Sequence, residues 1–137
     1  MAPGAESVRA ALDPFRARLP EHARDYTVAL LALAKANAVG GAEFNAPSPQ
    51  DALALQALLH WRREAHRALR RVRATAGGAH TGRIAERWLK TMIAALDLER
   101  QSLSIADPAQ AARAAASARR QVSRYHRLEA ELERALA

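Results

Sequence analysis

The chain has 137 residues, and half of them are hydrophobic, but 35 are alanine, so large apolar side chains are scarce. Alanine has the highest helix propensity and lets helix backbones approach closely. The composition therefore argues against a β-rich fold and favours one small helical domain over residues 1–137. The absence of cysteine excludes disulfide scaffolds, thiolate metal sites and cysteine nucleophiles. The formal net charge of +7 favours contact with acidic surfaces.

The first part of the chain predicts a short helix followed by an irregular segment. A helix is expected near residues 5–12. Pro14 and Pro20 both lack a backbone donor, so a break is expected between them. We therefore divide the domain into residues 1–19, a short helix with a proline-kinked connector, and residues 20–137, which form the bundle.

The N-terminal half also bears on location. The longest apolar run, residues 28–34, is too short to cross a bilayer, which needs about 20 residues, so no transmembrane segment is predicted. No basic stretch followed by an apolar one is visible at the N-terminus. We expect a cytoplasmic protein. The alternative is an exported or envelope-associated helical domain, if Met1 is not the natural start.

Capping residues mark the four main helices. Ser48 before Pro49 and Asp107 before Pro108 each predict a helix start, because the side-chain oxygen accepts an orphan N–H and proline fits the first turn. Gly77 can adopt the left-handed conformation that ends helices, as can Gly78. The predicted helices are 20–39, 49–76, 81–105 and 108–136. Short links between long helices predict an all-α fold, an antiparallel up-and-down four-helix bundle with a short extra N-terminal helix.

Apolar side chains at helical spacing predict the packing faces. Trp61 and Trp88 lie on facing stripes of adjacent helices and are expected to anchor the core. The first half of the second main helix is apolar nearly all round. This surplus predicts a contact surface, covered either by the preceding loop or by a second chain, and its candidate residues are Leu53, Leu55, Leu59 and Phe44.

The second main helix also carries most of the basic charge, on about half of its circumference. Two interpretations stay open: a surface for phosphates or acidic partners, or a solvated face in an arginine-biased protein, since 19 of the 21 basic residues are arginine. No aromatic residue interleaves on this face to stack bases. The basic face consists of Arg62, Arg63, His66, Arg67, Arg70, Arg71 and Arg73.

A small polar cluster lies near the apolar stripe of the last helix. Tyr125, His126 and Glu129 could form a ligand site there, although a hydrogen-bonded structural pair is the commoner role for such residues. We also predict an ion pair between Arg62 and Glu99. No Glu lies three residues before a His, and no two His lie four apart, so neither a metal site nor a cofactor is predicted.

These observations rank the functions. The chain has no P-loop, no dinucleotide glycine motif, no GxSxG elbow and no HExxH sequence, so we do not expect an enzyme. The leading hypothesis is a non-catalytic helical-bundle protein that acts through protein–protein contact, with a partner protein or as a homo-oligomer. The alternative is nucleic-acid binding without sequence specificity, through phosphate contacts of the basic face.

Overall fold

The structure, a computed structural model, describes residues 4–40, 49–104 and 107–137. Within these ranges the chain forms four helices, α1 (Ala5–Gly40), α2 (Pro49–Ala76), α3 (His80–Ser104) and α4 (Pro108–Leu136). Each helix packs antiparallel against the next one in the chain, so the predicted all-α, up-and-down four-helix bundle is confirmed. None of the described helices is both long and apolar enough to cross a membrane.

The limits of α2 and α4 coincide with the predicted ones, and those of α3 differ by one residue at each end. At the start of α4 the Asp107 carboxylate accepts a hydrogen bond from the backbone N–H of Ala109 at 3.2 Å, with Pro108 in the first turn. This is the predicted cap, which satisfies one orphan donor of the helix. Ser48, the predicted cap of α2, lies outside the described residues.

The N-terminal segment requires a correction. The predicted short helix and its proline-kinked connector are instead the first part of α1, which runs without interruption through Pro14 and Pro20. Both prolines lie on the exposed side of the helix, where water can satisfy the freed carbonyls. A buried stripe continues at helical spacing across both of them, and its burial offsets the cost of about 3 kcal/mol for each internal proline. The stripe consists of Val8, Leu12, Phe15, His22, Tyr26 and Ala29.

The core is concentrated near the turn between α2 and α3. Its large, fully buried side chains come from the first half of α1, from α2, from the first half of α3 and from the end of α4, and they are Val8, Leu12, Leu58, Val72, Ile84, Trp88, Leu89 and Leu132. Along the first half of α4, Ala118 is buried and the other alanines are half-buried or exposed. The opposite end of the bundle is therefore packed less deeply.

The α2–α3 turn differs from the expectation in its backbone. Of the described glycines only Gly4 has a positive φ, of 84°, so neither Gly77 nor Gly78 uses the left-handed conformation that we predicted for them. The turn is closed instead by a hydrogen bond from the N–H of Ala79 to the carbonyl of Ala76, at 3.1 Å. A turn this short holds α2 and α3 side by side.

Candidate functional site

A cleft opens along one side of the bundle, between α1 and α4. These two helices are neighbours around the bundle but contact each other far less than the other neighbouring pairs do. An ion pair between Arg16 of α1 and Glu133 of α4 joins them near the end of α4. Beyond this pair the seam widens into a cleft with a volume of about 830 Å³, and α3 forms its floor.

Short side chains on α1 explain why the seam does not close. Ala17, Pro20, Ala23 and Thr27 line the α1 side of the cleft and are exposed. Side chains of this size cannot reach across to α4, and on the opposite wall Val122 remains 37% exposed. The cleft reaches past α3 to Trp61 of α2. Larger apolar side chains within it are Leu19, Trp61, Met92, Leu96, Val122 and the ring of Tyr125.

Aromatic rings connect the cleft to the core. Trp88 is fully buried; its ring centroid lies 6.2 Å from that of Phe15 and 5.6 Å from that of Tyr125, which lies in the cleft wall. Trp61 is only half-buried, so the prediction of two core anchors holds fully for Trp88 and partly for Trp61. Trp88 thus supports the Tyr125 ring on the side that faces the core.

A buried histidine supports the other wall. The His22 ring is 2% exposed and stacks on Trp61 with a centroid distance of 6.2 Å; His60 lies 5.1 Å away. Burial, followed by the charges of His60 and Arg18, lowers the pKa of His22, and the smaller effects of the Glu64 and Glu21 charges oppose the shift. His22 is therefore held in its neutral form.

This lowered pKa predicts acid sensitivity. Between the ordinary value of 6.5 and the lower folded-state value, the unfolded chain binds a proton that the folded chain does not. Stability should therefore be complete above pH 6.5 and fall as the pH is lowered below it. Urea denaturation followed by circular dichroism at several pH values measures this. His22→Phe should shrink the acid loss, and an unchanged pH dependence in that variant would contradict the assignment.

The predicted pairing of Glu99 is corrected. Arg62 donates to Asp97 at 2.5 Å, and Glu99 accepts a hydrogen bond from the Tyr26 hydroxyl at 2.9 Å instead. Arg62 thus lies level with Asp97, two residues before Glu99 in α3. Two residues rotate a helix by about 200°, which turns Glu99 away from α2 and towards α1.

The polar cluster predicted on α4 lies in the cleft. Tyr125, His126 and Glu129 all line it, and the Nδ1 atom of His126 lies 3.4 Å from a Glu129 carboxylate oxygen. Burial, and then the charge of Glu129, raises the pKa of the Tyr125 phenol to about 12, while Arg16 acts in the opposite direction. Tyr125 is therefore a hydrogen-bond donor at neutral pH.

The pKa of the tyrosine on the α1 wall of the cleft is also raised. Tyr26 is buried, and burial together with the charge and hydrogen bond of Glu99 raises the pKa of its phenol well above the ordinary value of 10. Tyr26, Arg16 and Asp13 were not predicted as site residues, and Asp13 and Arg16 lie in the segment where a break at the prolines was expected. The unbroken apolar spacing from Val8 to Ala29 was the signal that could have revealed them.

Much of the basic face is engaged in contacts within the bundle. Arg62 pairs with Asp97, Arg67 with Glu64 and Arg73 with Glu86, and Arg71 donates to the backbone carbonyl of Ala11 at 3.1 Å. Burial, followed by the charge of Arg62, lowers the pKa of the half-buried His66.

Two arginines of the basic face differ from the others. Arg63 and Arg70 are exposed and form no ion pair with the residues that the structure describes. Most guanidinium groups of the predicted basic face therefore already have partners within the bundle.

Three of the four residues of the predicted apolar contact surface lie in the described ranges. Leu53 is 55% exposed, whereas Leu55 and Leu59 are half-buried, and Phe44 lies outside the described residues. Two exposed apolar side chains that the sequence interpretation did not single out, Val28 and Leu31, lie on α1. The contacts of Ala11 with Arg71 and of His22 with His60 put them level with the start of α2, the part of that helix that contains Leu53.

In the described ranges no group of three or more His, Asp or Glu side chains is arranged to hold a metal ion. The polar groups of the cleft act in pairs, Tyr26 with Glu99 and His126 with Glu129. The arrangement offers an apolar interior with a few polar groups, which suits binding and orientation of a molecule.

Comparison of the chain with protein-family models, with curated proteins and with solved structures found no match.

Proposed function

We propose that the protein is a non-catalytic binding protein that takes an apolar organic molecule into the cleft between α1 and α4. The observation that supports this most is the cleft itself, with its volume of about 830 Å³ and its aromatic and aliphatic interior. Ligand pockets of proteins measure roughly 300–1,000 Å³ and combine apolar walls with a few polar groups. Helical bundles commonly place such sites between their helices.

The polar groups of the cleft favour binding over catalysis. The raised pKa values keep the phenols of Tyr26 and Tyr125 protonated at neutral pH, so they donate hydrogen bonds and are poor bases. Glu99 already accepts one of these hydrogen bonds. Thr27 is the hydroxyl of the lining that remains, and no base is paired with it among the described residues.

Filling the cleft should weaken binding strongly. Ala23 is exposed and lines the α1 wall, so Ala23→Trp should occupy the space without disturbing the core. We expect the affinity for N-phenyl-1-naphthylamine, a neutral apolar fluorophore, to fall at least about tenfold, the loss expected when a ligand is denied its apolar contacts. Fluorescence titration measures this affinity.

The matched control is Ala74→Trp. Ala74 is another exposed alanine, on α2, and does not line the cleft, so this variant should bind the fluorophore as the wild type does. Absence of binding to the wild type, or binding that survives Ala23→Trp, would overturn the proposal.

Protein–protein contact or self-association is the second candidate. Three large apolar side chains at the same level of the α1–α2 pair favour it, since Val28, Leu31 and Leu53 are each more than half exposed. Sedimentation equilibrium tests it: a second copy on this surface should give a dimer that Leu53→Glu dissociates. A protein that stays monomeric at all concentrations would overturn self-association. Nucleic-acid binding has less support, because it would depend mainly on Arg63 and Arg70.

A further inference from the structure

The charge of the cleft is opposite in sign to that of the chain. Three carboxylates line it, from Asp13, Glu99 and Glu129, whereas the chain as a whole carries +7. Arg16 is the arginine of the lining, and its guanidinium is bonded to Glu133 across the seam. An anion entering the cleft would therefore meet three like charges and a cation that already has a partner.

The carboxylates of Glu99 and Glu129 act inside the cleft and not only at its rim. Glu99 is half-buried and holds the Tyr26 hydroxyl at 2.9 Å through one oxygen, which leaves its second oxygen available. The side chain of Glu129 is 35% exposed, and its neighbour His126 is charged only when protonated. The negative charges of these carboxylates act on the phenols of the cleft, because Glu99 helps to raise the pKa of Tyr26 and Glu129 helps to raise that of Tyr125.

Two further features attract positive charge. The faces of aromatic rings bind cations, and Trp61, Tyr26 and Tyr125 all contribute to the lining. Pro20 has no N–H, so the backbone carbonyl of Arg16 lacks its usual helical donor, and both residues lie on the cleft wall. A ligand that brings a donor or a positive charge can satisfy this carbonyl.

We infer that the cleft selects an amphiphilic organic cation, a small molecule with an apolar body and an ammonium group, which the carboxylates of Glu99 and Glu129 hold among the aromatic rings. This inference rests on the proposed function and names the chemistry of its ligand. The apolar body lies against Met92, Leu96 and Val122. The cleft extends along α1 only from residue 13 to residue 27 and along α4 from 122 to 129, dimensions that fit a small molecule.

Displacement of the bound fluorophore by three molecules with the same decyl chain tests this. The probes are decyltrimethylammonium, decanoate and decyl maltoside, each below its micelle concentration. We expect the ammonium compound to bind at least about tenfold more tightly than the other two, the preference that one carboxylate pair and an aromatic face can supply. The formal net charge of the chain, +7, works against this result, since it favours binding of the decanoate anion.

Variants locate the effect. Glu99→Gln and Glu129→Gln together should lower the affinity for decyltrimethylammonium about tenfold and lower that for the neutral fluorophore much less, because the side chains keep their shape and lose only charge. The control is Glu131→Gln, a carboxylate on the same helix that pairs with Arg87 and does not line the cleft. Urea denaturation of each variant confirms that it is folded.

The two proposals fail differently. Binding of the fluorophore with no preference for the ammonium compound, or a preference that the double variant retains, overturns the cationic ligand and leaves the binding site standing. Failure of the fluorophore and all three decyl compounds to bind the folded wild type overturns the proposed function, and the cationic ligand with it.

Discussion

Replacing Trp88 with alanine should lower the free energy of unfolding by about 3–5 kcal/mol, the usual cost of deleting a buried tryptophan side chain. Trp88 is fully buried on α3 and contacts Phe15 of α1 and Tyr125 of α4, so its loss opens a cavity where three helices meet. A domain of this size is stable by about 5–15 kcal/mol, and such a loss is a large part of that margin. Urea denaturation followed by circular dichroism measures it.

Trp61→Ala is the matched control for this prediction. Trp61 is half-buried and lines the cleft, so its removal enlarges a space that is already open and should cost about 2 kcal/mol or less. Trp61→Ala should also weaken binding of the fluorophore, because Trp61 lines the cleft. Trp88→Ala should affect this binding only through a change in the position of Tyr125. Equal losses of stability in the two variants would contradict the location of the core.

The second large effect is expected at Gly82. A Cβ atom at this position would lie 1.8 Å from the carbonyl oxygen of Ala76 and 2.7 Å from its carbonyl carbon, so the backbones of α2 and α3 must separate to admit it. Gly82→Ala should therefore destabilise the protein by about 3 kcal/mol, near the top of the usual range for overpacking. Its φ is not positive, so the close approach of two backbones is the reason, not conformational freedom.

Gly78 lies in the turn between α2 and α3, four residues before Gly82, and provides the comparison. A Cβ atom there would meet no atom within 4 Å, and its φ is also not positive. Gly78→Ala should be neutral or stabilise the fold by about 0.4–1 kcal/mol, because it restricts the unfolded chain. Thermal and urea denaturation of both variants separate the two cases. A Gly82→Ala protein as stable as Gly78→Ala would show that the turn opens without cost.

Local signals predicted much of this bundle. Proline and its capping residue mark the start of α4, and the alanine-rich periodic segments predict the helices, because both effects act within a few residues of the chain. The same signals failed for α1. Proline disfavours a helix locally, whereas the contacts that keep α1 intact come from side chains on α2 and α3, such as Leu58 and Trp88.

The site divides in the same way. The sequence placed Tyr125, His126 and Glu129 together, since residues one and four apart share a region of one helix. It could not place Glu99 beside Tyr26, because a shift of two residues in the α2–α3 register turns that carboxylate from one neighbour to the other. Register depends on the packing of whole helices, which no local pattern specifies.

By itself, then, the sequence determined the number of long helices, the limits of three of them to within one residue, and their up-and-down order, because helix propensity, caps and short links are local properties. The tertiary structure alone decided that α1 is continuous, that α1 and α4 stand apart, and that three carboxylates line the opening between them. Those features depend on which short side chains, such as Ala17 and Ala23, face across a seam, and that is settled only when all four helices have packed.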